Sequence, residues 1–177
     1  MRSYFQAQAN IFYKPMLRQR MNLTLTHAES DTELMLCFPL MQQLRPHLAD
    51  AKQFVLKMRR QQLQGYRVLA LWQADKQSNQ PRNTPIGLAG YRLQENTIYG
   101  KFIYIDDLVV GKENRSTGLG EQLLTAVRAR AMELGCNRLV LDTGLANSLA
   151  QRFYFRQGML AGGLHFTEAL STPQKKP

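Results

Sequence analysis

Residues 115–120, RSTGLG, stand between two segments of opposite character. Before them, residues 102–110 are rich in β-branched and aromatic side chains, which predicts a strand. After them, residues 121–134 repeat apolar side chains at helical spacing, which predicts a helix. Unpaired N–H groups and the positive end of a helix dipole favour an anion at such a junction, and Gly118 and Gly120 let a phosphate approach the backbone. We therefore predict a pyrophosphate site.

The residues after these glycines exclude two common phosphate-binding loops. A Walker loop carries Lys followed by Ser or Thr after its last glycine, whereas Glu121 and Gln122 follow here. A dinucleotide fingerprint would need Gly or Ala at the position of Leu123. The remaining pattern, R-x-x-G-x-G, resembles the acetyl-CoA loop of the Gcn5-related N-acetyltransferases, the GNAT family.

A second motif lies downstream in residues 147–159, NSLAQRFYFRQGM. It is similar to the second GNAT signature, N-x-x-A-x-x-x-Y-x-x-x-G-F, with Met159 in place of the usual Phe. Asn147 is a good helix N-cap and Gly158 a good C-terminal stop. The helical spacing predicts an inward stripe formed by Leu149, Ala150 and Phe153. The resemblance to the family spans residues 66–166.

The resemblance and the patterns together predict an α/β protein with the GNAT fold. This fold is a central, mostly antiparallel, twisted sheet with one splayed parallel strand pair, flanked by helices. The predicted helices are 29–44, 48–64, 121–134 and one from 147, and the predicted strands are 21–26, 66–72, 85–93, 102–110, 138–141 and 160–166. The sequence shows no clear seventh strand, so either the C-terminus is abbreviated or the N-terminal extension or a partner chain covers that edge of the sheet.

Composition sets the domain organisation. The 177 residues fit a basic N-terminal extension (1–20), one GNAT acetyltransferase domain (21–170) and a flexible tail (171–177). No apolar run reaches the length of a membrane span and no secretory segment is present, so we expect no membrane association. Cys37 and Cys136 lack metal-ligand spacing, so we expect no metal and a reducing, cytoplasmic location.

The resemblance assigns coenzyme contacts to two segments. The backbone of residues 108–110 would pair with the pantetheine arm and the acetyl carbonyl of acetyl-CoA, and the amides of residues 115–120 would hold its pyrophosphate. Asn147 would bind the pantetheine arm or its bound water. The cofactor-binding residues predicted in this way are Leu108, Val109, Val110, Arg115, Ser116, Thr117, Gly118, Leu119, Gly120 and Asn147.

Catalysis needs a base for the attacking amine and an acid for the departing thiolate. Asp106, Asp107 and Asp142 are the candidate bases, and we rank Asp107 and Asp142 ahead of Asp106. Neighbours on a strand point to opposite faces, so Asp106 and Asp107 share a face only if a bulge intervenes. Tyr154 is the predicted general acid, since its phenol can protonate the thiolate.

These assignments imply an acetyl-CoA-dependent N-acetyltransferase acting on a primary amine of a small molecule or protein by direct attack. The net charge of +10 is concentrated at the chain ends and basic residues do not cluster with aromatics, so we expect no nucleic-acid partner. The basic ends would nevertheless suit a toxin-like acetyltransferase of aminoacyl-tRNA, and a non-catalytic acyl-CoA sensor is a third reading. Family members are often dimers, so the resemblance is compatible with a homodimer. The sequence does not identify the acceptor amine.

Overall fold

The structure is a computed structural model that describes residues 23–74 and 84–170. The predicted extension (1–20), the tail (171–177) and most of the predicted hairpin loop (75–84) lie outside the described residues. The strands are β1 (Leu23–His27), β2 (Tyr66–Gln73), β3 (Thr84–Asn96), β4 (Gly100–Val110) and β5 (Arg138–Leu141). The helices are α1 (Asp31–Leu44), α2 (Ala51–Gln62), α3 (Leu119–Glu133) and α4 (Ser148–Arg156).

The five strands form one open sheet in the order β1-β2-β3-β4-β5. The first four strands pair antiparallel, and β4 pairs with β5 in parallel. The predicted mixed sheet with one parallel pair is therefore confirmed. Within the described residues, no helix combines the length and apolar character needed to cross a bilayer.

Both faces of the sheet are covered, and β2 shows how. Tyr66, Val68 and Ala70 join the core under α1 and α2, whereas Leu69 and Leu71 join the core under α3. Alternate residues of a strand point to opposite faces, so a strand buried on both sides carries a nearly continuous apolar run. The central sheet is thereby fixed between the helix pair and α3.

α3 packs closely on the sheet with the predicted stripe. Leu119, Leu123, Val127 and Ala131 are all buried, which confirms the helical spacing read from the sequence. A Cβ added to Gly87 on β3 would lie 2.9 Å from the Leu123 Cδ1 atom. The glycine thus lets the start of α3 approach the end of the sheet where β4 also ends.

The predicted last strand, 160–166, is wrong. Residues 159–170 contain no strand, and the side chains of Leu160, Leu164 and Phe166 are 89%, 68% and 86% exposed. Two adjacent glycines, Gly162 and Gly163, weaken the strand preference of this segment. As a result, β5 is the edge strand of the sheet in the described part of the chain.

The two cysteines differ in environment, which gives a simple test of the packing. Cys37 is fully buried under the sheet, and burial raises the pKa of its thiol to about 12, whereas Cys136 is only partly buried. We expect iodoacetamide to label Cys136 in the folded protein and both thiols in urea, because the thiolate is the reactive form. Mass spectrometry of the labelled peptides measures this. Rapid labelling of Cys37 without denaturant would contradict the packing of α1.

Candidate active site

The junction between β4 and α3 is a tight turn with two residues in the left-handed region. Ser116 has a φ of 61° and Gly118, which precedes α3, has a φ of 91°. The Thr117 hydroxyl donates a hydrogen bond to the Asn114 carbonyl at 2.6 Å. A Cβ added to Gly118 would meet nothing within 4 Å. Glycine is therefore favoured here by the left-handed backbone conformation and not by steric crowding.

The N-terminus of α3 is left without a side-chain cap. Gly118 is its N-cap residue and makes no side-chain hydrogen bond, so the first N–H groups of the helix are not capped by its own side chain. Fifteen residues of helix lie behind them and add the positive end of a dipole. The geometry suits a phosphate or diphosphate group. We call residues 115–120 the anion turn.

α4 is anchored beside this turn. A Cβ added to Gly120 would lie 3.4 Å from the Phe153 ring, so the small residue lets the aromatic side chain reach the start of α3. At its other end, the Arg128 guanidinium of α3 donates to the Gln157 carbonyl at 2.6 Å. These two contacts fix the helix that carries Tyr154 alongside the anion turn.

β4 and β5 separate and leave a fork. Their parallel pairing covers four residue pairs and ends at Ile105 opposite Leu141. Beyond that point, β4 continues to Val110 with β3 on one side and, among residues 23–74 and 84–170, no strand on the other. The predicted coenzyme strand, residues 108–110, therefore has an open backbone edge that runs toward the anion turn.

A bulge in β4 sits at the mouth of the fork. Gly90 of β3 pairs with Asp107 and Tyr91 pairs with Ile105, so Asp106 is an extra residue on β4. This is the condition under which Asp106 and Asp107 share a face. Both carboxylates bind arginines on the side of the sheet that faces α1 and α2.

Asp107 is held on both of its oxygens. Tyr66 donates its hydroxyl to Oδ2 at 2.7 Å, and Arg45, which follows α1, donates to Oδ1 at 3.0 Å. Burial, then Asp107 itself, raises the pKa of the Tyr66 phenol, so that phenol stays a proton donor. A Cβ on Gly90 would lie 1.9 Å from the Tyr66 hydroxyl, so glycine is required where this ring crosses β3.

Asp106 is paired with Arg92 of β3. The Arg92 Nε donates to both carboxylate oxygens at 3.1 Å, and its Nη2 donates to Gln61 of α2. Burial raises the pKa of Asp106 above its ordinary value, although Arg92 opposes the shift. Arg45 and Arg92 thus balance two of the three predicted acids, and the cleft is less acidic than the aspartates alone indicate.

Asp142 follows β5 on the opposite side of the fork from Asp106. Its Oδ2 accepts a hydrogen bond from the Tyr104 hydroxyl and lies 2.7 Å from the His165 Nδ1. Burial, and then the bond to Asp142, raise the pKa of Tyr104. The sequence does not single out Tyr104, and it gives His165 only as a candidate acceptor contact.

Asn147 and Tyr154 lie at the two ends of the second motif. Asn147 caps α4, since its Oδ1 accepts from the Ala150 N–H at 3.2 Å. Tyr154 is half-buried beside Phe153, and burial raises the pKa of its phenol. Its hydroxyl makes no hydrogen bond to the described residues, so it is available to a ligand. Leu149 does not join the predicted inward stripe, because its side chain is 78% exposed.

Comparison with protein-family models supplies the family. The model described as the acetyltransferase (GNAT) family matches residues 34–159, which include strands β2 to β5, the fork and both motifs. The chain belongs to the GNAT acetyltransferase family. A relative in Methanocaldococcus jannaschii, an uncharacterised N-acetyltransferase, is 39% identical over 56 residues, which span 31% of this chain and 36% of the relative. This chain therefore matches little more than a third of the length of that relative.

Solved structures share the fold at low identity. A Trypanosoma brucei acetyltransferase has a TM-score of 0.67 at 20% identity, covering 84% of this chain and 99% of its own. The aminoglycoside acetyltransferase AAC(6')-Iy, bound to a CoA-acetylneamine bisubstrate analogue, has a TM-score of 0.70 at 18% identity, with 85% and 99% covered. Glucosamine-6-phosphate N-acetyltransferase from Arabidopsis thaliana has a TM-score of 0.64 at 18% identity, with 84% and 99% covered.

Proposed function

We propose that this GNAT protein is an acetyl-CoA-dependent N-acetyltransferase that transfers the acetyl group to a primary amine by direct attack. The observation that carries the proposal is the continuity of two open backbone surfaces. The uncapped N-terminus of α3 suits a diphosphate, and the free edge of β4 leads from it to the mouth of the fork. Backbone groups so arranged suit a ligand with an anionic head and a long amide-bearing arm.

The fit to acetyl-CoA rests on residues of the anion turn and of β4. Amides from Arg115 to Gly120 would hold the pyrophosphate, with the Arg115 guanidinium as added positive charge. Each charge-assisted hydrogen bond contributes about 1.5–3 kcal/mol, so a few of them support micromolar binding. Leu108, Val109 and Val110 would pair with the arm, and Asn147 would add a polar contact from α4. Acetyl-CoA would supply the activated thioester.

The amine must lose a proton before it attacks. A lysine-like amine with a pKa of about 10.4 costs roughly 4.6 kcal/mol to present uncharged at neutral pH. Asp106, Asp107 and Asp142 surround the mouth of the fork and remain candidate bases. Asp107 has both oxygens occupied by Arg45 and Tyr66, which favours a role in holding α1 against the sheet.

Tyr154 is the proposed acid. Burial raises the pKa of its phenol further above neutral pH, and its hydroxyl makes no hydrogen bond within the described residues. The amine nitrogen gains the acetyl carbon as the C–S bond breaks, and the thiolate takes the phenolic proton, which solvent then restores. The net products are an N-acetylated amine, free CoA thiol and one proton.

Two fold neighbours support an amine as acceptor. They are an aminoglycoside N-acetyltransferase and a glucosamine-6-phosphate N-acetyltransferase. Arg45 and Arg92 beside Asp106 and Asp107 make the acceptor side of the fork nearly balanced in charge. An amine carrying further polar or anionic groups therefore suits this surface as well as a simple polyamine.

Release of free CoA thiol tests the proposed activity. We expect steady thiol release from acetyl-CoA when a panel of amino sugars, polyamines and peptides is added, and only slow hydrolysis without an amine. Mass spectrometry of the acceptor should show one added acetyl group. Tight coenzyme binding with no transfer to any amine would contradict the enzyme and leave an acyl-CoA-binding domain.

A further inference from the structure

We propose that His165 is the general base for the acceptor amine and that Asp142 is its positioning residue. This inference rests on the proposed function and deepens it, because it assigns the base to a residue outside both sequence motifs. It follows from one cluster of side chains at the mouth of the fork, formed by Tyr104, Asp142 and His165, which we call the fork cluster.

The fork cluster is placed by the sheet register. Tyr104 is opposite Val140 and Ile105 is opposite Leu141 in the last pairs of β4 and β5, so Asp142 is the first residue beyond the paired region. The strands part at this point, and the open edge of β4 begins. A group carried here lies at the entrance of the groove proposed for the thioester arm.

One oxygen of Asp142 contacts two side chains of the fork cluster. The Tyr104 hydroxyl donates to Oδ2, and the His165 Nδ1 lies 2.7 Å from the same oxygen. A carboxylate on Nδ1 fixes the imidazole tautomer with the proton on Nδ1 and the lone pair on Nε2. Asp142 therefore orients a base, and Nε2 of His165 is the atom left to accept a proton.

His165 is open to a substrate. Its side chain is 60% exposed, and it is carried by residues 159–170, which cross back to the end of β5 without forming a strand. An imidazole can take a proton from an ammonium group near neutral pH and pass it to water. The Nε2 atom would gain the proton that the amine loses, and the freed nitrogen lone pair would attack the acetyl carbon.

Acidic and basic side chains both lie near the fork cluster. The charged groups acting on Tyr104 are Asp142, Asp106 and Arg45, and Asp106 is itself paired with Arg92. Asp142 is the carboxylate in direct contact with His165. The cluster thus combines a held carboxylate, a phenol that remains protonated and an exposed imidazole.

The tautomer of His165 can be measured on the protein without coenzyme. The chain contains three histidines, so His165→Gln identifies the signals of His165 in two-bond ¹H–¹⁵N spectra. We expect neutral His165 to carry its proton on Nδ1, and Asp142→Ala to shift it toward the Nε2–H form that a histidine side chain in water prefers. An Nε2–H tautomer in the unsubstituted protein would overturn the proposal.

Turnover supplies the second readout. We expect His165→Ala to lower kcat about 100-fold with little change in the KM for acetyl-CoA, and added imidazole to restore part of the lost rate. Glu168→Gln, an exposed change in the same segment, is the control and should keep the unsubstituted rate. Full activity of His165→Ala, or a loss that imidazole does not restore, would overturn the role of His165.

These outcomes separate this inference from the proposed function. If the unsubstituted protein transfers acetyl groups and His165→Ala does so equally well, the enzyme stands and the base lies elsewhere. If the unsubstituted protein transfers to no amine, the proposed function fails on its own assay, and the base role of His165 fails with it whatever the tautomer.

Discussion

Tyr154→Phe is expected to lower turnover by about 10- to 1000-fold while coenzyme affinity stays nearly unchanged. The substitution removes a single hydroxyl from a half-buried ring packed against Phe153. Because that hydroxyl has no partner among the described residues, its loss leaves no protein group unsatisfied. The effect should therefore appear in kcat, where removing a general acid typically costs about 10²–10⁴-fold.

Tyr91→Phe is the matched control for this prediction. Tyr91 is also a phenol whose pKa is raised by burial, but it lies on the α3 face of the sheet and pairs with His27 at 2.7 Å. Its loss should lower the free energy of unfolding by about 1 kcal/mol and leave kcat unchanged. If Tyr154→Phe lost folding and coenzyme binding together, Tyr154 would be a core residue rather than the acid.

Gly118→Val is expected to weaken acetyl-CoA binding about 30-fold. The residue has a φ of 91°, and a β-branched side chain in that region costs about 2 kcal/mol, which corresponds to the stated factor when the bound turn must keep that conformation. Nothing lies within 4 Å of the added Cβ, so a clash does not confuse the result. Isothermal titration calorimetry with acetyl-CoA measures the change.

Gly135→Val provides the same strain at the other end of the same helix. Gly135 follows α3 with a φ of 68°, and its added Cβ also meets nothing within 4 Å. The two ends of the 15-residue helix are roughly 22 Å apart. Gly135→Val should therefore lose thermal stability and keep its affinity for acetyl-CoA, and only Gly118→Val should lose affinity. Equal affinities for acetyl-CoA would mean that the anion turn does not hold the coenzyme.

Local patterns were enough to predict most of the fold. The strand 138–141 and the stripe of Leu119, Leu123 and Val127 on α3 follow directly from periodicity, and the end of α4 follows from Gly158, which has a φ of 76°. The predicted strand 160–166 does not form. A strand also needs a neighbour to pair with, and that depends on tertiary structure.

The fork cluster could not be read from the sequence. Tyr104, Asp142 and His165 come from β4, from the end of β5 and from an irregular segment, and only the β4–β5 register brings them together. The same is true of Arg45, which reaches Asp107 from the end of α1 across 62 positions. Motif spacing identifies groups on one element, whereas these contacts depend on how separate elements pack.

Calorimetric titration of the folded protein with acetyl-CoA tests the central claim most directly, namely that the turn before α3 and the open edge of β4 form one coenzyme site. The account predicts one binding site per chain with micromolar affinity, weakened by Gly118→Val and not by Gly135→Val. Absence of heat from acetyl-CoA, CoA and other acyl esters on well-folded protein would contradict it, and the roles given to Tyr154 and His165 would fall with it.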